Sequence, residues 1–455
     1  MRYFALATDY DGTLATNGQV DEATLEALQK LKESGRKLIL VTGRHLDDIY
    51  EVFPQVDQFD CVVAENGALI YHPATREEKL LGDRPSEEFI QALADQQVEP
   101  LGVGRVIVST WEPHEVTVLQ TIREFGLELQ VIFNKGAVMV LPSGINKAAG
   151  LTAALTSLGL SAHNTVGVGD AENDHAFLDI CECSVAVANA LPIVQERVDW
   201  VTQGARGAGV CELIDRLIED DLCTIQNQDH HKILLGNRED KSCLYLPYGS
   251  SVLLAGISGG GKSTLATGVL ERLGEEGYQF CIFDPEGDYE TFAGSIVVGN
   301  RDHIPRIDEV LNLLEQPDQQ VIINMLGVPL DQRPAFFASF LPALLELRSR
   351  FGRPHWIVMD EVHHLIPATS NPATLALPQS LDNIMMITVH PDHVATPALK
   401  LVDTAIALGK APEQTISTFC DAIDEPAPNT PAGALETGTA IAWFKAAQTD
   451  PFQFN

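Results

Sequence analysis

The chain has 455 residues, room for two to four domains at roughly 100–200 residues each, and 45% hydrophobic with 20% charged residues is an ordinary globular mix. Asp and Glu number 63 against 30 Lys and Arg, a formal net charge of −33 carried by both halves: −19 over residues 1–225 and −14 over the rest. That balance disfavours nucleic acid as a partner, since bulk charge opposes its approach, and the absence of any run of about 18 apolar residues excludes a membrane span.

Residues 3–9 read as a short buried strand, too soon acidic for a signal peptide, and residues 37–42 as a second. Between them Leu25, Leu28 and Leu31 share one helical face, with Gly35 placed as a cap. The alternation resumes with a helix over 146–159, a strand over 164–168, a helix over 172–180 and a strand over 183–187. Such repetition predicts a doubly wound parallel sheet. Residues 72–143 interrupt it with helices near 86–96 and 114–125 and strands at 105–110, 128–133 and 137–141, an inserted α+β cap. The expected core is therefore 1–71 with 144–222. A polar linker, 223–231, follows, and apolar runs at 251–255, 279–284, 320–324, 355–360, 384–389 and 403–408 mark a second α/β domain over 232–455. The eight cysteines form no dense framework, and Cys181-Glu182-Cys183 has the wrong spacing for a zinc knuckle; reduced thiols and a cytoplasmic location are expected.

Asp9-Tyr10-Asp11-Gly12-Thr13 follows the first strand, so both carboxylates face the crevice beyond the strand ends. One acid of such a pair can attack phosphorus while the other handles the leaving-group proton. Thr42-Gly43-Arg44 ends the second strand, Lys147 opens the helix after the cap, and Gly169-Asp170-Ala171-Glu172-Asn173-Asp174 ends another strand with oxygen ligands for a hard cation. Taken singly, an Asp-x-Asp is more often a turn and a lysine more often surface; four elements in this order are not.

The constellation resembles the haloacid dehalogenase-like (HAD) phosphohydrolases over about residues 1–220, and specifically their type II, Cof-like and sucrose-phosphatase-like branch, which Glu65-Asn66-Gly67-Ala68 also fits. The resemblance implies a Rossmann-like core, an aspartyl-phosphate on Asp9, Asp11 as general acid/base, and Thr42 and Lys147 on the phosphoryl group. It implies Mg²⁺ held by Asp9, the Asp11 carbonyl and Asp170, with Asp174 close by. A small phosphorylated, sugar-phosphate-like substrate would be selected by cap residues, of which Arg105, Trp111, His114 and Lys135 are candidates.

In the second half, a strand over 251–255 runs into Gly256-Ile257-Ser258-Gly259-Gly260-Gly261-Lys262-Ser263-Thr264, which satisfies G-x-x-x-x-G-K-[ST] in its strand–loop–helix setting. Backbone amides around these glycines would cradle a polyphosphate, Lys262 would reach the β/γ-phosphates, and Ser263 would bind Mg²⁺. A strand ending in Asp360-Glu361 supplies a carboxylate for the ion's water shell and a second to polarise an attacking water; His390 ends another strand as a phosphate sensor. With Asp284-Pro285-Glu286-Gly287-Asp288-Tyr289 and the C-terminal aromatic run, this half resembles HerA/FtsK-type P-loop ATPases. The resemblance implies ATP as a ligand, a homo-oligomer up to a hexamer, and an arginine finger, for which Arg348, Arg350 and Arg353 are candidates. His230-His231 and His363-His364 are expected to point apart and to share no metal.

The leading expectation is thus a bifunctional enzyme, a Mg²⁺-dependent phosphatase whose ATPase module regulates or assembles it. A DNA-processing motor with an accessory phosphatase and a polynucleotide kinase–phosphatase are the alternatives. The charge weighs against the first and Glu361 against the second.

Overall fold

The first parallel sheet is built from runs buried on both faces: β1 (Ala5–Thr8), β2 (Lys37–Val41) and β3 (Cys61–Ala64), with α1 (Glu22–Glu33) and α2 (Leu46–Val52) between them. Asp21 caps α1 by accepting the Thr24 amide, which fixes where the helix starts and turns Ala27, Leu28 and Leu31 into the core. β4 (Leu69–His72) and β5 (Glu77–Leu80) then add antiparallel to the same sheet. The inserted unit carries α3 (Glu87–Asp95), β6 (Gly102–Val103), β7 (Val108–Trp111), α4 (Glu115–Glu124), β8 (Leu129–Asn134) and β9 (Ala137–Pro142), a four-stranded antiparallel sheet ordered β6-β7-β9-β8. The chain returns through α5 (Lys147–Ser157), β10 (Thr165–Gly169), α6 (His175–Ile180), β11 (Cys183–Ala186), α7 (Pro192–Gln195), β12 (Trp200–Val201) and α8 (Gly207–Asp220).

This computed structural model describes residues 1–225, 232–369, 377–378, 381–445 and 449–455, which divide into two compact units, Met1–Gln228 and Asp229–Asn455. In the first, the sheet order is β12-β11-β10-β1-β2-β3-β4-β5. Connections from β1 run to one side and those from β10 to the other, so the β1/β10 junction is the switch point beyond which a crevice opens.

In the second unit a hairpin of β13 (Ile233–Asn237) and β14 (Cys243–Leu246) precedes β15 (Ser251–Gly256) and α9 (Lys262–Glu275). There follow β16 (Phe280–Asp284), β17 (Ser295–Val298), α10 (Ile307–Leu314), β18 (Gln320–Asn324), α11 (Arg333–Phe351), β19 (Trp356–Met359), β20 (Ile384–Thr388), α12 (Thr396–Leu399), β21 (Thr404–Leu408), α13 (Pro412–Ile423), β22 (Ala440–Phe444) and β23 (Phe452–Phe454). The order β17-β18-β16-β19-β20-β15-β21-β22-β23 is parallel from β17 to β21, with an antiparallel pair closing one edge.

Three expectations need correction. The cap does not begin at residue 72, because β5 pairs with β4 in the core sheet; Glu77-Glu78-Lys79-Leu80 is exposed throughout and carries no apolar alternation to betray a strand. The strand expected at 105–110 starts only at Val108, because the amides of Arg105, Val106 and Ile107 are bonded to the Glu65 carboxylate instead of a neighbouring strand. The helix expected over 172–180 is a 3₁₀ turn, Glu172–Asp174, followed by α6. The linker and His230-His231 lie largely or wholly outside the described residues. All eight cysteines are free thiols, and no helix among the described residues is long and apolar enough to cross a membrane.

Candidate active site

Asp9 follows β1 and Asp170 follows β10, the two strands that flank the switch point, so topology alone brings both carboxylates to the same crevice. Lys147, the first residue of α5, reaches the same carboxylates. Its buried Nζ lies 2.6 Å from Asp9 Oδ1 and 2.6 Å from Asp174 Oδ1. Burial works against the lysine's charge, but Asp174 and Asp9 outweigh it and hold the ammonium above its ordinary range. The Asp9 carboxyl is pushed up to about 7, first by burial and then by Asp174, with Lys147 pulling the other way. Asp174 also accepts the Asp170 and Ala171 amides at Oδ2, so this carboxylate shapes the loop after β10 as well as holding the lysine.

The donor set fits a divalent cation. Ligand atoms of Asp9, Asp170 and Asp174 lie within 4.8 Å of one another, and Asp170 Oδ1 is buried without a hydrogen-bond partner. Burial raises the pKa of Asp170, the direction that a nearby cation would reverse. Mg²⁺, which takes oxygen ligands, suits three carboxylates served by a single buried ammonium. Asp11 contributes its backbone here, because its carboxylate is turned away to Arg44, whose Nε and Nη2 reach it at 2.6 and 2.7 Å. Gly12 makes this proximity possible. It sits at φ +95°, and a Cβ there would lie 2.3 Å from Asp170 Oδ2. Thr42, buried at the end of β2, accepts the Arg44 amide at its hydroxyl oxygen and keeps its own O–H to donate.

A cavity of about 620 Å³ opens over these groups, lined by Asp9, Asp11, Arg44, His45, Trp111 and Lys135 among others. Two of the four cap candidates, Trp111 and Lys135, line it. Arg105 does not: its guanidinium pairs with Asp47 on α2 and Glu78 on β5, fastening cap to core. His114 instead faces the Glu99 carbonyl at 3.1 Å. Three residues whose side chains are assigned no role from the sequence complete the site. Arg44 orients Asp11; His45 Nε2 meets Ser109 Oγ at 3.1 Å, joining core to cap; and Glu65 binds three cap amides. A Thr-Gly-Arg strand end beside an Asp-x-Asp strand was the available clue to Arg44.

With this geometry in place, similarity to known proteins becomes specific. The haloacid dehalogenase-like hydrolase profile matches residues 6–110 and 105–214. A phosphoglycolate phosphatase of Methanothermobacter thermautotrophicus is 30% identical over 223 residues, 47% of this chain and 98% of that protein. The chain belongs to the haloacid dehalogenase-like hydrolases. Phosphoglycolate phosphatase 2 of Saccharolobus solfataricus is also 30% identical, over 220 residues that make up 47% of this chain and 91% of that one. Among solved structures, a sucrose-phosphatase from Synechocystis aligns with 24% identity and a TM-score of 0.38, over 48% of this chain and 98% of that chain.

In the second unit β15 ends on Gly256, the loop before α9 carries Gly259, Gly260 and Gly261, and Lys262 opens the helix. The largely buried Lys262 reaches back to the Ile257 carbonyl at 3.3 Å, and burial lowers its pKa against the attraction of Glu361 and Asp360. Ser263 and Thr264 are exposed. β20 lies between β15 and β19, which places the Asp360-Glu361 end one strand away from the glycine loop. Asp360 is pushed up to about 7 by burial and by Glu361, and Glu361 holds a left-handed backbone at φ 40° with Oε2 buried. His390, exposed beyond β20, donates its amide to Thr388 Oγ1.

Two expectations for this unit change. Arg348 donates to the carbonyls of Pro354, Asp382 and His355, and the buried Arg353 to those of Leu314 and Glu315, so neither guanidinium is presented to a neighbour; Arg350 stays exposed. His363 and His364 do not point apart, since the tight 3₁₀ turn brings their ring centroids to 4.1 Å. Burial and the surrounding histidines hold His363 at about 4, neutral at physiological pH, and among the described residues these rings complete no metal-ligand group.

Proposed function

We propose that this protein is a bifunctional enzyme, a Mg²⁺-dependent phosphomonoesterase in residues 1–225 joined to an ATP-hydrolysing P-loop module in residues 232–455. The observation that carries the first part is the buried Lys147 bridge between Asp9 and Asp174, beside Asp170 with its unpartnered oxygen. Asp9 attacks phosphorus, the ester P–O bond breaks, and Asp11 donates a proton to the leaving oxygen. In the second half-reaction Asp11 takes a proton from water, which displaces phosphate and frees Asp9. For either transfer one Asp11 oxygen must leave Arg44 to carry the proton while the other contact keeps the carboxyl in place, and Lys147 with Thr42 binds the phosphoryl oxygens. Mg²⁺, held by Asp9, Asp170 and the Asp11 carbonyl, would offset the repulsion between a carboxylate and an anionic ester.

The substrate is a small phosphorylated acid or sugar. A cavity of about 620 Å³ supports that scale, and His45 on its wall offers a ring nitrogen to a second polar or anionic group, as in the ester for which the phosphoglycolate phosphatases are named. The ATPase reading is supported by the strand–glycine loop–helix arrangement, Lys262 at the helix start, and Asp360-Glu361 across β20.

The test is a hydrolysis panel of 2-phosphoglycolate, hexose phosphates and ATP with Mg²⁺. Asp9→Asn should abolish monoester hydrolysis and leave ATP turnover, and Lys262→Ala the reverse. Loss of both activities from a folded single variant would overturn the assignment of two independent sites.

A further inference from the structure

The hairpin of β8 and β9 pairs Asn134 with Ala137, leaving Lys135 and Gly136 as a two-residue loop at φ 50° and 88°. Two positive φ values make this a type I′ turn, whose first position favours Asn, Asp or Gly. A lysine there is a local misfit, and a side chain held in a disfavoured backbone region points to a compensating contact. The contact is specific. Lys135 Nζ lies 2.9 Å from Asp170 Oδ2 and 3.1 Å from the Asp11 carbonyl oxygen, and 3.0 Å from where a Cβ on Gly12 would be.

The Asp11 carbonyl is assigned above to Mg²⁺, and Oδ2 belongs to the same Asp170 carboxylate whose Oδ1 is left without a partner. An ion bonding the Asp11 carbonyl oxygen at its usual distance of about 2.1 Å would lie no farther than about 5 Å from the ammonium that shares that oxygen. Like charges that close in a partly buried site repel strongly. We propose that Lys135 is a tethered counter-cation of the cap, which competes with Mg²⁺ for Asp170 and the Asp11 carbonyl. Metal loading and the seated hairpin tip are then negatively linked. Mg²⁺ entry lifts the tip, and the released lysine leaves the floor of the cavity. Linkage is reciprocal, so the seated tip must weaken Mg²⁺ by the same factor that Mg²⁺ weakens the seating. The inference rests on the metal site proposed above.

The test is calorimetric titration of the full chain with MgCl₂, together with hydrogen exchange over residues 129–142. Lys135 is 46% exposed, so Lys135→Met leaves folding intact. It should bind Mg²⁺ at least tenfold more tightly than wild type, with Asp170→Asn defining the background. Removing a positive charge would tighten metal binding by field alone, so the second readout is decisive. In wild type, saturating Mg²⁺ should accelerate exchange at the hairpin, whereas in Lys135→Met exchange should be fast already and insensitive to Mg²⁺. Equal or weaker binding by Lys135→Met, or hairpin exchange that Mg²⁺ leaves unchanged or slows, overturns the competition while leaving the metal site standing. Failure of wild type and Lys135→Met alike to bind Mg²⁺ above the Asp170→Asn background overturns both.

Discussion

Glu65 ties the cap to the core through one carboxylate, and Glu65→Gln tests that tie with minimal change of shape. Oε1 accepts the Arg105 amide at 2.8 Å, while Oε2 accepts those of Val106 and Ile107 at 2.8 and 2.9 Å; Glu65, Val106 and Ile107 are fully buried. Glutamine keeps one acceptor oxygen. Its best orientation leaves that oxygen on Val106 and Ile107 and turns NH₂ toward the Arg105 amide, donor against donor. One hydrogen bond to a charged group is lost, at about 1.5–3 kcal/mol, and the other two lose their charge. A local destabilisation of about 3 kcal/mol corresponds to roughly 100-fold in an opening equilibrium. The backbone term cancels, because Glu65 sits at φ 52° and glutamine is no better suited to it. Hydrogen exchange read at residues 105–107 should therefore accelerate about 100-fold while β1 and β2 keep their protection. Protection at 105–107 within threefold of wild type would refute the clamp.

Gly12→Ala should abolish both Mg²⁺ binding and phosphatase turnover with the fold retained by circular dichroism, since its Cβ would meet Asp170 Oδ2 at 2.3 Å in a backbone conformation disfavoured for alanine. The Asp9 carboxyl, at about 7 when folded and about 3.9 when unfolded, binds more protons in the native state between those values. Its contribution to stability is present below about 4 and is lost as pH rises through 7. In chelator, the first unit's thermal midpoint should fall across that window more steeply in wild type than in Asp9→Asn, and equal slopes would contradict the shift. Arg353→Met should destabilise the second unit by about 3 kcal/mol in denaturant, because it strips buried carbonyls of their donor. If it instead left stability intact and abolished ATP turnover, the arginine-finger expectation would be restored.

What was legible in the sequence followed from how each feature is encoded. The parallel strands were plain because burial on both faces demands uninterrupted apolar runs, as in Lys37–Val41 and Ile384–Thr388. Asp9, Lys147 and Asp170 were legible because each stands at a strand end or helix start, where topology fixes direction with no knowledge of partners. β5 was hidden because an edge strand exposed on all four residues needs no apolar alternation. Arg105, Arg348 and Arg353 misled for one reason. A guanidinium reads the same in sequence whether it faces a substrate or a neighbour, or binds a cage of backbone carbonyls, and only the fold decides.

The cap explains why the partners of the remaining site residues were hidden. Glu65, His45 and Lys135 act across a boundary between segments that lie 40, 64 and 124 residues apart in the bonds they make, so no local pattern can announce those partners, even for Lys135, which stood among the cap candidates. Two of the three nevertheless leave a local trace in the backbone: Glu65 at φ 52° before Asn66 at φ 54°, and Lys135 at φ 50° in a turn suited to asparagine. Such strain persists only where the surroundings over-determine it. Here the surroundings are the facing side of the boundary between cap and core. The seam between cap and core runs from the Glu65 clamp, through His45 and Ser109, to the lysine on Asp170. His45, Ser109 and Lys135 all line the cavity, so if Lys135 and Mg²⁺ compete as proposed, metal loading would be felt along this seam.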